Sequence, residues 1–174
     1  MKNGQFQVYT GNGKGKTTAA IGLAVRASGA GLRVFFGQFI KDDAYSEIGV
    51  LKSLPSVHVE QFGTGEGMLA GRAETADDHA CAQAGLARIR EAMASGDYDL
   101  VVADEINVAC RLGLISEDAW RACALARPDS VELLFTGRGA PAFAAEIADL
   151  MTEMREIRHY YGEKELPARK GIEY

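Results

Sequence analysis

The chain of 174 residues is 47% hydrophobic and 25% charged, the composition of an ordinary globular protein with a sizeable core. Its formal net charge of −5 argues against general nucleic-acid binding, which needs a basic surface, so we expect no nucleic-acid partner. The sequence has no apolar run long enough to cross a bilayer, no apolar signal-peptide segment and no CxxC pair, so we expect a cytoplasmic protein with no membrane partner, zinc site or disulfide framework.

A glycine-rich segment near the start, Thr10–Thr18, is the first informative motif. It reads TGNGKGKTT, between an alternating run at 6–9 that predicts a buried strand and an apolar run at 19–27 that predicts a helix. This order of strand, glycine turn, Lys-Thr and helix is that of a phosphate-binding loop, or P-loop. Thr10 stands where the usual GxxxxGK[ST] pattern has its first glycine. The alternative is a glycine-rich turn that binds nothing.

Each residue type in this loop suits a chain of phosphates. The glycines let backbone N–H groups approach an anion, and the start of the helix adds the positive end of its dipole. Lys16 can reach the terminal phosphates, and the Thr17 hydroxyl can ligate Mg²⁺. The predicted nucleotide-binding residues of the loop are Gly11, Asn12, Gly13, Lys14, Gly15, Lys16, Thr17 and Thr18.

A second strand is predicted over Leu32–Ile40, because the run LRVFFGQFI is apolar enough for a parallel strand that is buried on both faces. Lys41 follows at the carboxyl end of that strand, the edge where open α/β sheets bind ligands. It is either a ligand contact or a solvated lysine. A short helix over 46–54 and a strand over 57–62 come next.

The segment Gly63–Gly71 contains four glycines and therefore predicts a loop. Met68 and Leu69 in this loop either cover a ligand or partner, or pack into the core. A helix is predicted over Thr75–Ala94, where good helix formers follow a capping threonine.

The run Tyr98–Glu105, YDLVVADE, predicts an apolar strand that ends in carboxylates. Downstream of a P-loop this is the Walker B arrangement, in which a carboxylate binds Mg²⁺ while the Thr17 hydroxyl takes another coordination position. Asp104 and Glu105 are the candidate metal ligands. The alternative is that Asp104 caps the helix that follows.

The rest of the chain continues the alternation of helices and strands. The predicted elements are helices over 106–112 and 116–126, a strand over 131–135, a helix that starts at Pro141 and a final strand over 151–159. Trp120 is expected in the core. Arg138, just after a strand, can pair with phosphate or bond a helix end. The polar tail, 168–174, is expected to fold over the site or over a neighbouring subunit.

This alternation predicts a three-layer α/β fold with a mostly parallel sheet, built as one domain over 1–174. The patterns indicate a magnesium-nucleotide protein and do not specify its reaction.

Seven segments together resemble the ATP:corrinoid adenosyltransferase family, which acts on cob(I)alamin and its precursors. They are TGNGKGKTTAA at 10–20, QFIK at 38–41, DEIN at 104–107, ARP at 126–128, TGRG at 136–139, TEMREIRH at 152–159 and ARKGIEY at 168–174. They span nearly the whole chain in the order of the family. Threonine in place of the first loop glycine is itself a trait of this family.

The resemblance implies a RecA-like P-loop fold, a homodimer and the transfer of the 5′-deoxyadenosyl group of ATP to the cobalt(I) of a corrinoid, with release of triphosphate. It also implies an electron donor such as a reduced flavoprotein. No side chain is expected to act as acid or base, because cobalt(I) is a nucleophile that carries no proton. The alternatives are an ATP-binding carrier or regulatory protein of the same fold, and an ordinary P-loop phosphotransferase or ATPase.

The resemblance also implies the roles of particular residues. Positioning falls to Lys16, Thr17 and Glu105, nucleotide binding includes Arg138, and Mg²⁺ is held by Thr17 and Glu105, with Asp104 at the same strand end. The residues that match the corrinoid pocket are Gln38, Lys41, Met68, Leu69 and Ala70.

One segment departs from the pattern. Family members usually read Gly-Phe-Thr-Trp-Glu-Thr where this chain reads Gly-Met-Leu-Ala-Gly-Arg over 67–72. The two aromatic residues that press on the lower face of the corrinoid are therefore absent.

Overall fold

The computed structural model describes residues 3–41, 45–65 and 72–173, with the side chain of Glu163 excepted. The described strands form one sheet in the order β3-β2-β4-β5-β1-β6, and every adjacent pair is parallel. The strands are β1 Phe6–Thr10, β2 Val34–Phe39, β3 Val57–Phe62, β4 Leu100–Asp104, β5 Glu132–Thr136 and β6 Leu150–Glu153. The helices are α1 Lys16–Gly29, α2 Ser46–Ser53, α3 Ala76–Ala94, α4 Ile106–Arg111, α5 Glu117–Leu125, α6 Ala144–Ile147 and α7 Tyr160–Lys164.

Helices cover both faces of the sheet, because successive side chains of a buried strand point to opposite sides. On β2, Phe35 belongs to a core cluster shared with α3, α4 and α5, whereas Phe36 belongs to a cluster shared with α1 and α2. Trp120 of α5 is fully buried in the first cluster, as predicted. The three-layer α/β fold predicted from the sequence is confirmed.

Most predicted elements lie within a few residues of the observed ones. Two predictions were wrong. The last strand ends at Glu153 instead of continuing to His159, and the backbone of the next residue, Met154, bonds to Thr10 and to Gly13 of the glycine-rich loop. The helix predicted from Pro141 begins at Ala144, after a turn in which the Ala144 N–H donates to the Pro141 carbonyl at 2.9 Å.

Parallel strands bring all of their carboxyl ends to one edge of the sheet. The glycine-rich loop follows β1 at this edge, and Lys41, Glu105 and Arg138 follow β2, β4 and β5. Among the described residues no helix is long and apolar enough to cross a membrane.

The start of α3 is held by a buried carboxylate. Asp78, 2% exposed, accepts hydrogen bonds from Arg72 Nη1 at 2.6 Å, Thr64 Oγ1 at 2.9 Å and the Thr75 N–H at 2.8 Å. Thr75 Oγ1 in turn accepts from the Asp78 N–H, which completes a capping box. The hydrogen bonds from Arg72 hold the pKa of Asp78 well below its usual range.

Asp78→Asn should lower the free energy of unfolding at pH 7 by more than about 1.5 kcal/mol, because charge-assisted hydrogen bonds are lost. The pKa of Asp78 is lower in the native protein than in the unfolded chain, where it is about 3.9, so the ionised carboxylate stabilises the fold fully at a pH above that value. This stabilisation is lost as the pH falls toward the native pKa. The difference from wild type should therefore shrink below about pH 4. Urea unfolding followed by circular dichroism at several pH values measures it.

Asp77→Asn is the matched control, since Asp77 lies in the same helical turn and is exposed. An equal loss of stability in both variants, or a loss for Asp78→Asn that does not change with pH, would contradict the role assigned to Asp78.

Candidate functional site

The glycine-rich loop joins the end of β1 to the start of α1. Gly15, the N-cap of α1, has φ 118°, and Gly11 has φ 94°, values that favour glycine. Gly15 provides no capping side chain, and the first turn of α1 contains no acidic residue. The N–H groups of this turn therefore point toward a place that an anion can occupy.

Lys16 lies inside this loop and is only 7% exposed. Its Nζ donates to the carbonyl oxygens of Gly11 at 2.8 Å and Gly13 at 2.7 Å. Burial lowers the pKa of Lys16, and the charge of Glu105 opposes this shift. A negatively charged ligand at the loop would favour the ammonium form in the same way.

Asp104, at the end of β4, is fully buried and accepts hydrogen bonds from three elements of the fold. Thr17 Oγ1 of α1 lies 3.0 Å from Oδ1 and 3.2 Å from Oδ2, Gln38 Nε2 of β2 lies 3.0 Å from Oδ2, and Thr136 Oγ1 of β5 lies 2.6 Å from Oδ1. Lys41 Nζ is 3.9 Å from Oδ2. The alternative role for Asp104, a helix cap, is wrong, because its oxygens face the loop and the neighbouring strands.

Glu105 is the N-cap residue of α4 and has a left-handed backbone, with φ 61°. Such a conformation costs a residue other than glycine about 1–3 kcal/mol and persists where surrounding contacts fix it. Here the Glu105 N–H donates to Thr136 Oγ1 at 3.1 Å, and Lys41 Nζ lies 3.9 Å from the carboxylate. Burial, and then the charge of Asp104, raises the pKa of the Glu105 carboxyl.

Ile40 has φ 70°, an outlier for a β-branched residue. The strained turn at the end of β2, in which the Lys41 N–H donates to the Phe39 carbonyl at 2.8 Å, brings Lys41 back toward the two carboxylates. The sequence gives no signal of this turn, because an isoleucine ordinarily continues a strand.

The chain after β6 lies against the loop, a contact that sequence reasoning missed. The Gly13 N–H donates to the Met154 carbonyl at 2.7 Å, and the Met154 N–H donates to the Thr10 carbonyl at 2.8 Å. A Cβ at Gly11 would lie 2.4 Å from the Met154 carbonyl oxygen. These glycines are therefore required by the packing of the segment that follows β6 as well as by the loop conformation.

The tail folds over the same loop, which confirms the first of the two placements predicted for it. Lys14 Nζ donates to the Ile172 carbonyl at 2.9 Å and to the Glu173 carboxylate at 2.9 Å. Glu173 also accepts hydrogen bonds from the Tyr160 hydroxyl and from the Arg169 N–H, the latter at 2.7 Å. The hydrogen bonds from Tyr160 and Arg169 hold the pKa of Glu173 well below its usual range, and the bond to Glu173 raises the pKa of Lys14.

A cavity of about 720 Å³ opens at this edge of the sheet. Its walls include Gly13–Thr18, Lys41, Glu105, Arg138 and residues 171–173 of the tail. The structure thus brings the phosphate-binding loop, the carboxylate of Glu105 and the cations of Lys41 and Arg138 to one cavity large enough for a nucleotide.

Other predicted site residues are not among those that line this cavity. Gln38, predicted for the corrinoid pocket, is fully buried and contacts Asp104 and Gln61. Asn12 is exposed on the loop. Met68, Leu69 and Ala70 lie outside the described residues.

The described residues contain no cluster of three or more Asp, Glu, His or Cys side chains that could hold a metal alone. Mg²⁺ bound with a nucleotide does not need one, since it takes one or two carboxylates, phosphate oxygens and water. Thr17 and Glu105 line the cavity and carry oxygen atoms of the kind that this cation prefers, and Asp104 lies directly behind Thr17, 3.0 Å from its hydroxyl.

A glycine loop between a strand and a helix, a lysine inside it, and a threonine bound to a buried acidic strand end define a P-loop nucleotide-binding protein. A family model described as ATP:corrinoid adenosyltransferase BtuR/CobO/CobP matches residues 2–174. The chain therefore belongs to this enzyme family, and the resemblance stated from its motifs is confirmed.

Two curated relatives with names from this family agree with this assignment. A corrinoid adenosyltransferase of Pseudomonas aeruginosa is 35% identical over 174 residues, which cover 99% of this chain and 85% of that protein. Corrinoid adenosyltransferase CobA of Salmonella typhimurium is 32% identical over 173 residues, 99% of this chain and 87% of that protein. An uncharacterized protein of Nostoc sp. is 38% identical over 170 residues, 90% of this chain, but the match spans only 45% of that relative.

Lys16→Ala should lower ATP affinity at least about tenfold while the fold survives, because a charge-assisted hydrogen bond to phosphate contributes about 1.5–3 kcal/mol. Calorimetric titration of the variant with ATP, with circular dichroism as a check of folding, measures the effect. Lys52→Ala is the matched control, since Lys52 is an exposed lysine at the end of α2. Unchanged affinity in a folded Lys16→Ala protein would refute the role of Lys16.

Proposed function

We propose that the protein transfers the 5′-deoxyadenosyl group of ATP to the cobalt of a corrinoid and releases inorganic triphosphate. One combined observation supports this proposal: a family match over residues 2–174 together with a P-loop whose lysine and threonine line one cavity with the acidic Glu105. In the reaction a bond forms between cobalt(I) and the 5′ carbon. The bond from that carbon to the triphosphate oxygen breaks, and the electron pair leaves with the triphosphate.

The part of the protein in this chemistry is to align the reactants and to stabilise the leaving group. Lys16, Lys41 and Arg138 line the cavity and can offset the negative charge that develops on the triphosphate. Cobalt(I) needs no general base, since it carries no proton. Positioning of the cobalt against the 5′ carbon then accounts for much of the rate.

Mg²⁺ is proposed to bind with the nucleotide at Thr17, Asp104 and Glu105. When bound, the ion adds positive charge next to the triphosphate. Asp104 accepts a hydrogen bond from the Thr17 hydroxyl, which leaves oxygen lone pairs of Thr17 for the cation, and Glu105 presents its carboxylate to the cavity.

The corrinoid is proposed to bind next to Lys41 and the segment that carries Met68, Leu69 and Ala70. Flexible Met68 and small Ala70 replace the rigid aromatic pair of the family pattern, so exclusion of the lower axial ligand of cobalt(II) is expected to be less complete. The homodimer and the reduced flavoprotein as electron donor are further proposals from family membership. A cytoplasmic location is supported by the three cysteines, all free thiols in the structure.

The altered segment over 67–72 leaves one other candidate, an ATP-binding carrier or regulatory protein with weak corrinoid activity. Anaerobic incubation with ATP, Mg²⁺ and chemically reduced corrinoid separates the candidates. We expect the optical spectrum of an adenosylcorrinoid and an equal amount of triphosphate. ADP and phosphate as products would instead indicate a phosphotransferase or ATPase, and ATP binding without turnover would indicate a carrier. Lys16→Ala protein is the negative control.

A further inference from the structure

A row of polar side chains crosses the carboxyl edge of the sheet from β3 to the P-loop. Gln61 of β3 is paired in register with Gln38 of β2, which is paired with Asp104 of β4. Gln61 Nε2 donates to Gln38 Oε1 at 3.0 Å, and Gln38 Nε2 donates to Asp104 Oδ2 at 3.0 Å. Since Asp104 accepts a hydrogen bond from the Thr17 hydroxyl, one hydrogen-bonded chain leads from Gln61 to Thr17 of the loop motif.

The direction of this chain is fixed by its acidic end. An ionised carboxylate only accepts hydrogen bonds, so Gln38 must turn its NH₂ group toward Asp104 and its carbonyl toward Gln61. Gln61 must then present its own NH₂ group to that carbonyl. Gln38 is fully buried, so water does not substitute for this donor.

Loss of the NH₂ group at position 61 has two possible consequences. The buried carbonyl of Gln38 stays in place and loses this donor, or the Gln38 amide rotates and places its carbonyl oxygen against Asp104. Both outcomes weaken the hydrogen bond that orients the Asp104 carboxylate, and therefore also the orientation of the Thr17 hydroxyl that donates to it.

We propose that Gln61 is a positioning residue for the Mg²⁺–triphosphate part of the site. It acts through Gln38, and it keeps Asp104 in the orientation in which that carboxylate accepts a hydrogen bond from the Thr17 hydroxyl. The inference rests on the proposed Mg²⁺-dependent binding of ATP. Gln61 lies outside every motif that carried the family resemblance.

Two substitutions test this role. Gln61→Met keeps the length of the side chain and removes the donor, whereas Gln61→Glu replaces the donor with an acceptor and forces the Gln38 amide to rotate. ATP affinity is measured by calorimetry over a range of Mg²⁺ concentrations and in EDTA. We expect Gln61→Met to raise the Mg²⁺ concentration at which the gain in ATP affinity is half-maximal about three- to tenfold. Gln61→Glu should raise this concentration further.

Whether Gln61→Glu raises or lowers the Mg²⁺ requirement distinguishes the proposed hydrogen-bond role from a simple charge effect. An added negative charge near the site would by itself attract Mg²⁺, so tighter binding of Mg²⁺ by this variant would overturn the proposal. Half-maximal Mg²⁺ concentrations within about twofold of wild type in both variants would also overturn it. ATP affinity in EDTA should stay nearly unchanged.

Gln83→Met on α3 is the matched control, since Gln83 Nε2 donates to the Leu114 carbonyl at 2.7 Å, away from this row. Urea unfolding without nucleotide should show a loss of stability in the control and in Gln61→Met, while only the latter changes the response to Mg²⁺. If the ATP affinity of the wild-type protein does not change with Mg²⁺ concentration, the proposed Mg²⁺ site and this inference both fail. If wild type shows the Mg²⁺ dependence but transfers no adenosyl group, only the proposed reaction fails.

Discussion

The arrangement of side chains at the carboxyl edge of the sheet depends on the hydrogen bonds that the buried carboxylate of Asp104 accepts. A carboxylate removed from water is costly unless hydrogen bonds and nearby cations compensate it. Here Thr17, Gln38 and Thr136 donate to it from three separate elements, with the ammonium of Lys41 at 3.9 Å. The carboxylate therefore fixes the start of α1 relative to β2 and β5, and with it one end of the loop between β1 and α1.

The two lysines of the loop and one of its backbone N–H groups have hydrogen-bond partners within the protein. Lys16 is bound to carbonyls of the loop, Lys14 to the tail, and the Gly13 N–H to Met154. A triphosphate would exchange these internal hydrogen bonds for stronger charge-assisted bonds to its oxygens. The segment after β6 and the tail therefore belong to the same candidate site, although they are distant from the P-loop in sequence.

Local patterns predicted the fold class and two of the motifs that meet at the candidate site. The P-loop and the acidic strand end were predictable because strand, glycine turn and helix are encoded within a few residues. The left-handed backbones of Ile40 and Glu105 were not, because tertiary contacts fix them. The place of Gln38 depends on strand register, which brings it beside Asp104 and Gln61 and which no single segment specifies.

A double-mutant cycle between Thr17→Ala and Asp104→Asn, with calorimetric affinities for Mg²⁺–ATP, tests most directly whether the buried carboxylate acts through the loop hydroxyl. If it does, the two effects are strongly non-additive: the double variant binds scarcely less tightly than the single variant of lower affinity, with a coupling of at least about 1 kcal/mol. The same cycle between Thr17→Ala and Asp78→Asn, a carboxylate on α3, should be additive. Additivity within about 0.5 kcal/mol for Thr17 and Asp104 would contradict an action of the carboxylate through the hydroxyl.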